Sequence, residues 1–174
     1  MQRGTTALPR RTARDEVFTL LFRREHARMV AYARLLVDDL PAAEDIVQEA
    51  FAGLYRHWPR LKDEYAAAGY LRTSVLNGAR SHLRRRRTRA AFRPARPDDA
   101  PSAESVAVRN EDCRRLIVGL TRLPLRQREV LVLRYFFDLS EAQIAYELEM
   151  SRGSVKQHAS RGLASLSTTV GAAT

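Results

Sequence analysis

Residues 140–157 read SEAQIAYELEMSRGSVKQ, and the order of residue types is typical of two short helices joined by a tight turn. Ser140 and Gln143 form a capping-box pattern, in which the hydroxyl accepts from the amide three residues later and the Gln143 side chain reaches back. Ser151 can cap the second helix through its hydroxyl. This stretch therefore predicts a helix-turn-helix, with the turn at residues 149–151.

The apolar residues of the motif fall where two crossing helices pack, and the small residue Ala145 allows a close crossing. These packing residues are Ile144, Leu148, Met150 and Val155. The second helix is then free to lie in a major groove with its N-terminal residues towards the base edges. Its outward face holds Arg152, Ser154, Gln157 and Arg161, and Lys156 lies at the edge of this face. These five residues are expected to contact DNA. Arginine can read guanine and glutamine can read adenine, whereas other side chains of this face would grip phosphate.

The charge of the chain supports this interpretation over an ordinary helical hairpin with a solvated basic face. The 174 residues carry a net charge of +10, and all cationic residues except Lys62 and Lys156 are arginine. Such a surplus indicates a polyanionic partner, either nucleic acid or an acidic membrane surface. No apolar run approaches the ~20 residues that span a bilayer, and the N-terminus lacks the apolar core of a signal peptide. We therefore expect a cytoplasmic protein without a membrane partner.

The pattern of the chain predicts an all-α protein with two helical domains joined by a flexible linker. Residues 1–14 are expected to form a disordered arm, and 15–87 to form a domain of three helices. The second of these helices is predicted from about Ala42 to Trp58 and the third from about Ala66 to Arg86. Residues 88–103 contain three prolines and read as the linker. Helical periodicity over 104–170 predicts the second domain, and no strand pattern occurs.

The second helix predicts an acidic and amide patch, because Asp45, Gln48 and Glu49 are spaced i, i+3 and i+4. Its apolar residues fall largely on another face. On a basic protein such a patch would repel DNA, so it is a candidate docking site for another protein. A solvated charged face is the alternative.

The third helix carries a polar and basic stretch beside its apolar stripe. The residues are Asn77, Arg80, Ser81, His82 and the run Arg84, Arg85, Arg86 and Arg87. Basic groups with an amide suit single-stranded or melted DNA, where phosphates need charge and exposed bases need polar pockets. A basic helix end placed against its own dipole accounts for one or two arginines, but not for four in a row.

Nothing in the sequence indicates an enzyme. There is no arrangement of nucleophile and base, and no metal-ligand spacing, so we expect no catalytic residue, metal site, cofactor or small-molecule substrate. The single cysteine, Cys113, excludes a disulfide framework within one chain and fits a reducing compartment.

These motifs, in this order, resemble the extracytoplasmic-function (ECF) group of sigma-70-type sigma factors over about residues 15–168. The stretch from Asp45 to Phe51 resembles region 2.2, which docks on the clamp helices of the polymerase beta-prime subunit. Residues 70–86 resemble regions 2.3 and 2.4, which melt and read the promoter −10 element. Residues 123–166 resemble region 4, whose helix-turn-helix reads the −35 element.

The resemblance implies a role for each matching residue and a set of partners. Asp45, Gln48 and Glu49 would contact core RNA polymerase, which presents its beta and beta-prime subunits to sigma factors. Asn77, Arg80, Arg84, Arg85 and Arg86 would contact the −10 element, and the outward face of the second helix of the motif would contact the −35 element. Promoter DNA is then the second partner, and an anti-sigma factor is a candidate third, because many members of the family are held inactive by one.

Two other functions compete with a sigma factor. A stand-alone helix-turn-helix regulator would bind duplex DNA by itself, usually as a symmetric dimer, but it leaves the acidic patch and the basic third helix unexplained. An enzyme acting on nucleic acid fails for want of a catalytic constellation.

Overall fold

The computed structural model describes residues 13–61, 64–92 and 111–171, and within these ranges every regular element is helical. The seven α-helices are α1 (Ala13–Val37), α2 (Leu40–His57), α3 (Glu64–Phe92), α4 (Glu111–Arg122), α5 (Leu125–Phe136), α6 (Glu141–Leu148) and α7 (Arg152–Gly171), with one 3₁₀ turn at Trp58–Arg60. The predicted all-α class is therefore confirmed. None of the described helices is long and apolar enough to cross a membrane.

The chain turns sharply between α1 and α2 at Asp38, Asp39 and Pro41. Asp38 takes the left-handed conformation at φ 53°, and the Asp39 carboxylate accepts a hydrogen bond of 3.0 Å from the Ala42 amide. Pro41 lies in the first turn of α2, where its missing N–H costs nothing. The two helices therefore pack side by side as a hairpin.

Helices α1, α2 and α3 form the first bundle around their predicted apolar faces. Its fully buried side chains include Met29, Tyr32, Leu36, Val47, Leu54, Leu71 and Val75. An aromatic cluster closes one end, where the Phe18 ring meets Phe51 at 6.2 Å and Trp58 at 5.7 Å between centroids. Burial of apolar side chains on this scale is the main stabilising contribution of the bundle.

Helix α3 extends beyond its predicted end at Arg86 and runs to Phe92. The predicted linker of residues 88–103 is therefore wrong in its first five residues, and the rest of it lies outside the described residues. Arginine and alanine are good helix formers, so the helix continues although its apolar stripe has ended. The Thr88 hydroxyl donates to the Arg84 carbonyl at 3.1 Å, which satisfies a polar group in this exposed stretch.

The predicted arm and the predicted start of the second domain fall mostly outside the described ranges. Helix α1 already includes residues 13 and 14, while residues 1–12 and 104–110 are not described. Helices α4–α7 form the second bundle, whose buried side chains include Val130, Leu133, Ile144, Leu148, Val155 and Ala159.

The two bundles pack against each other across α1 and α5. Tyr32 of α1 is fully buried, and its ring lies 4.7 Å from Phe137 between centroids in an edge-to-face arrangement. The Arg128 guanidinium of α5 donates to the Leu36 carbonyl of α1. The buried side chains of the two bundles therefore form one continuous core.

Candidate nucleic-acid interface

The helix-turn-helix has the caps that the sequence predicts. The Ser140 hydroxyl accepts from the Gln143 amide at 3.3 Å, and the Gln143 side chain accepts from the Ser140 amide at 2.9 Å, which completes the capping box. The Ser151 hydroxyl accepts from the Ser154 amide at 3.0 Å at the start of α7. Each cap satisfies backbone donors that the first turn of a helix leaves free.

The turn between α6 and α7 depends on one residue in the left-handed region. Glu149 has φ 51° and ψ 50°, and its amide donates to the Ala145 and Tyr146 carbonyls. Ile144, Leu148 and Val155 are buried beneath the turn, as predicted, and Met150 is partly buried. The crossing angle of the two helices is thus fixed by both the turn and the packing.

The predicted DNA-reading face of α7 is open to solvent. Arg152, Lys156, Gln157 and Arg161 are exposed, and Ser154 is half-buried. The opposite face packs on α5, where a β-carbon on Gly162 would lie 3.0 Å from the Leu131 Cδ1 atom and would require the leucine side chain to shift. Helix α7 contains no acidic residue, so its outward face carries unopposed positive charge apart from Lys156, which lies 3.8 Å from Glu141.

A groove of about 730 Å³ lies between α2 and α3 and brings the two predicted sites of the first bundle together. Asp45 and Glu49 line one wall, and Asn77 lines the other with Ser81, His82 and Arg85. Gln48 is exposed beside the groove without lining it. Acidic and amide groups on α2 therefore lie next to the amide and basic groups on α3.

Two glycines that line the groove, Gly53 of α2 and Gly78 of α3, allow the two helices to approach closely. A β-carbon on Gly53 would lie 2.9 Å from the Tyr70 hydroxyl oxygen. That hydroxyl lies 3.2 Å from the His57 Nδ1 atom, which is also 2.9 Å from the Gly53 carbonyl oxygen. The Gly53 carbonyl can only accept, so a hydrogen bond between these two atoms requires the imidazole tautomer with its proton on Nδ1.

The predicted −10 arginines divide into two groups. Arg84, Arg85 and Arg86 are exposed along α3 and can reach phosphate. Arg80 is half-buried and donates to Glu129 of α5 through Nε at 2.6 Å and Nη2 at 2.9 Å. The hydrogen bond with Glu129 raises the pKa of Arg80, so its charge is permanent.

Sequence reasoning missed the polar contacts between the bundles. Glu129 is fully buried, and Arg72 of α3 donates to Glu147 of α6 through Nε at 2.6 Å. Arg128 is buried against backbone carbonyls, and this burial lowers its pKa from the ordinary arginine value. Nothing in the periodicity of α5 distinguishes these buried charges from solvated ones, so no sequence signal could have found them.

Comparison with known proteins finds one family match in each of the two helical bundles. The sigma-70 region 2 family matches residues 21–89, and the sigma-70 region 4 family matches residues 113–166. The RNA polymerase sigma-E factor of Streptomyces coelicolor is 32% identical over 134 residues, which cover 77% of this chain and 75% of that protein. The ECF RNA polymerase sigma factor SigM of Mycobacterium tuberculosis is 30% identical over 156 residues, covering 88% and 77%.

Solved structures share the fold. The sigma factor RpoE of Bartonella quintana, solved with the anti-sigma factor NepR, superimposes with a TM-score of 0.69 at 19% identity, covering 89% of this chain and 97% of that one. CnrH, solved with the cytosolic domain of CnrY, gives a TM-score of 0.65 at 21% identity, covering 91% and 90%. A stand-alone regulator is not favoured, because residues 21–89 match a sigma-factor region. The chain belongs to the ECF group of the sigma-70 family, the sigma factors that direct RNA polymerase to promoters.

Proposed function

We propose that the exposed surfaces of α2, α3 and α7 each make a different contact during promoter recognition. The acidic and amide face of α2, formed by Asp45, Gln48 and Glu49, docks on core RNA polymerase. The basic part of α3 reads and melts the −10 element, and α7 reads the −35 element. The observation that carries the proposal is the distribution of charge on exposed surfaces: an acidic face on α2 lies beside a basic face on α3, and α7 presents a separate basic face.

The α2 face suits a protein partner better than DNA. Asp45, Gln48 and Glu49 are all exposed. The Glu49 carboxylate also forms a salt bridge of 3.2 Å with Arg56, which partly neutralises its charge. Carboxylates at a protein interface steer a basic partner surface and fix its register, whereas they repel phosphate. We assign this face to the beta-prime subunit on the strength of the family resemblance, with the beta subunit as a further contact.

The groove between α2 and α3 suits an unstacked base. Asn77 is exposed at its wall with Ser81 and His82, so donors and acceptors are present for a base edge. The exposed arginines Arg84, Arg85 and Arg86 follow on the same helix and would hold the phosphates of the melted strand. Arg80 would join them where it is released from Glu129.

The −35 reading rests on α7 as the recognition helix. Its N-terminus projects Arg152, Lys156 and Gln157 into solvent, and Arg161 follows one turn later. Ser154 is half-buried, and its hydroxyl lies 2.9 Å from the Ser151 hydroxyl, so it would help to position the helix start as well as contact DNA. The polymerase supplies the chemistry of initiation, so the proposal needs no cofactor, metal or small-molecule substrate.

Run-off transcription with purified core RNA polymerase and a pool of genomic promoter fragments tests the proposal. We expect initiation at defined start sites only when the protein is present, and alignment of those starts should reveal two promoter elements. No initiation, together with tight duplex binding by the protein alone, would contradict it.

The docking assignment has its own test. Gln48→Ala with Glu49→Ala should weaken binding to core polymerase and leave the fold intact. Glu16→Ala, which removes an exposed carboxylate from α1 instead, is the matched control and should bind as the parent does. Unchanged core affinity of the folded double variant would overturn the assignment.

We also propose a cytoplasmic location, since polymerase and promoter DNA are there, and an anti-sigma factor as a further partner. One structural neighbour, the sigma factor RpoE, was solved in complex with the anti-sigma factor NepR. A regulator of this kind should suppress the run-off transcript when it is added before core polymerase. It should have little effect when added after the holoenzyme has formed, whereas equal inhibition at both stages would contradict competition with core.

A further inference from the structure

Arg80 and Glu129 form the central polar contact between the two bundles. Arg80 lies on α3 and uses two guanidinium nitrogens on the two carboxylate oxygens of Glu129, which lies on α5. The Glu129 side chain is fully buried, and 28% of the Arg80 side chain is exposed. One of the arginines assigned to the −10 element is therefore held by a carboxylate that belongs to the −35-reading domain.

A second ion pair also joins α3 to the second bundle. Arg72, two turns earlier on α3, donates to Glu147 on α6, and their side chains are only 18% and 10% exposed. The Arg72 guanidinium also lies 5.4 Å from the centre of the Phe137 ring. Two arginines of one face of α3 are thus neutralised by two glutamates of the second bundle.

Carboxylate and phosphate are equivalent targets for the guanidinium fork, since both accept its parallel N–H groups in a bidentate way. Arg80 engages Glu129 through Nε and Nη2, so its charge is neutralised and its Nε–Nη2 edge is not available for a DNA phosphate. Buried ion pairs of this kind contribute little net stability, because desolvation offsets much of the attraction, but breaking one partner leaves an uncompensated charge. The Arg80–Glu129 pair is therefore suited to hold one arrangement of the domains. It can also be exchanged for a pair between Arg80 and a phosphate.

We propose that Glu129 is an internal competitor for the DNA strand, which holds Arg80 and closes the two domains on each other until promoter DNA or polymerase separates them. Glu147 holds Arg72 in the same closed arrangement. The two ion pairs, Arg80–Glu129 and Arg72–Glu147, together form an interdomain lock. The exposed face of α7 stays open in the closed arrangement, so the lock acts on the −10 surface and on the spacing between the domains. The competition for Arg80 rests on the proposed −10 role of this residue, whereas the closure itself does not.

The closure is tested by the distance between two labels in the full chain. Cys113, the only cysteine, is exposed on α4 and takes one label, and Ala52→Cys adds an exposed site on α2. We expect Glu129→Gln to shift the label distances, measured by pulsed EPR, towards longer and broader values, because the neutral amide leaves the Arg80 charge uncompensated. Arg126→Gln is the matched control: it removes the other cation on Glu129, at 3.1 Å within α5, and should leave the distances unchanged.

The competition is tested by binding of single-stranded DNA that spans the −10 region of a start site mapped by run-off transcription. Affinity rises in proportion to the open fraction, so we expect Glu129→Gln to bind this DNA about fivefold more tightly or better. Arg126→Gln should bind as the parent does.

Each outcome decides one part of the proposal. Unchanged distances in folded Glu129→Gln would overturn the lock. Longer distances without a gain in DNA affinity would overturn the competition, while protein-dependent transcription would still support the proposed function. If Glu129→Gln fails to fold, Glu147→Gln tests the lock through the second ion pair, with the same expected lengthening of the label distances and the same contradiction if they are unchanged.

Discussion

Gly78 of α3 lies against Ile46 of α2 so closely that a β-carbon on the glycine would be 2.8 Å from the Ile46 Cγ2 methyl. Ile46 is nearly buried and β-branched, so it has little freedom to move aside. This contact sets how deeply α2 and α3 approach each other, and both residues line the groove assigned to the −10 element. The shape of the groove therefore depends on a glycine that makes no polar contact.

Gly78→Ala should destabilise the protein by about 1 kcal/mol. Alanine gains about 1 kcal/mol of helix propensity, but overpacking of a well-packed contact costs about 1–3 kcal/mol. Gly69→Ala in the same helix is the matched control, because no atom lies within 4 Å of its added methyl. It should stabilise by about 0.5–1 kcal/mol in urea unfolding. Equal stabilisation by both substitutions would show that the helix crossing is looser than described.

Glu149→Gly should stabilise the second bundle by about 1 kcal/mol. The residue has φ 51°, where an L side chain is strained and glycine is not. Glu149→Ala removes the same carboxylate but keeps the β-carbon, so the difference between the two variants isolates the backbone strain. Thermal unfolding of both variants measures it. A gain for alanine equal to that for glycine would instead assign the effect to the charge.

Helix periodicity and capping chemistry predict most of the second bundle, because these signals lie within a few residues of each other. The capping box at Ser140 and Gln143 and the turn before Ser151 are examples, and each is confirmed. The end of α3 could not be predicted, since Thr88 and Arg89 are equally compatible with a solvated helix and with a linker.

The candidate site could be predicted face by face but not as a groove. The spacing of Asp45 and Glu49 predicts a shared face, and the run from Arg84 predicts a basic one. Their juxtaposition depends on the close crossing at Gly53 and Gly78, which sequence spacing does not encode. The Arg80–Glu129 ion pair could not be predicted from the sequence for a related reason: a buried charge in a helix does not change the periodicity of its apolar residues.

Tyr32→Phe should leave the protein as stable as the parent or stabilise it by about 1 kcal/mol. The hydroxyl is buried, and it has no hydrogen-bond partner within the described ranges, so removing it removes a desolvated polar group. Burial also raises the pKa of Tyr32, which keeps it neutral throughout the ordinary pH range. Since the phenol stays protonated, the gain should be the same at pH 6 and pH 9 in urea unfolding. A loss of more than about 1 kcal/mol would imply a partner for the hydroxyl.

Gln157→Ala should lower binding of the holoenzyme to its own −35 element by about 1–3 kcal/mol and should relax the preference at one base pair. Arg161→Ala, if Arg161 contacts phosphate, should weaken binding to all −35 sequences alike and reduce the salt dependence. Ser167→Ala is the matched control, because this exposed residue lies ten positions further along α7, about 15 Å from Gln157 at the helical rise of 1.5 Å per residue.

The measurement that separates these roles is competition between promoter duplexes that differ only at single −35 positions, carried out at two salt concentrations. A base-reading Gln157 predicts that the loss is confined to duplexes with the preferred base, since only there is a hydrogen bond lost. A loss that is equal for every duplex and vanishes at high salt would make Gln157 a backbone contact. The reading of the −35 element would then have to come from Arg152 and Lys156 at the start of α7.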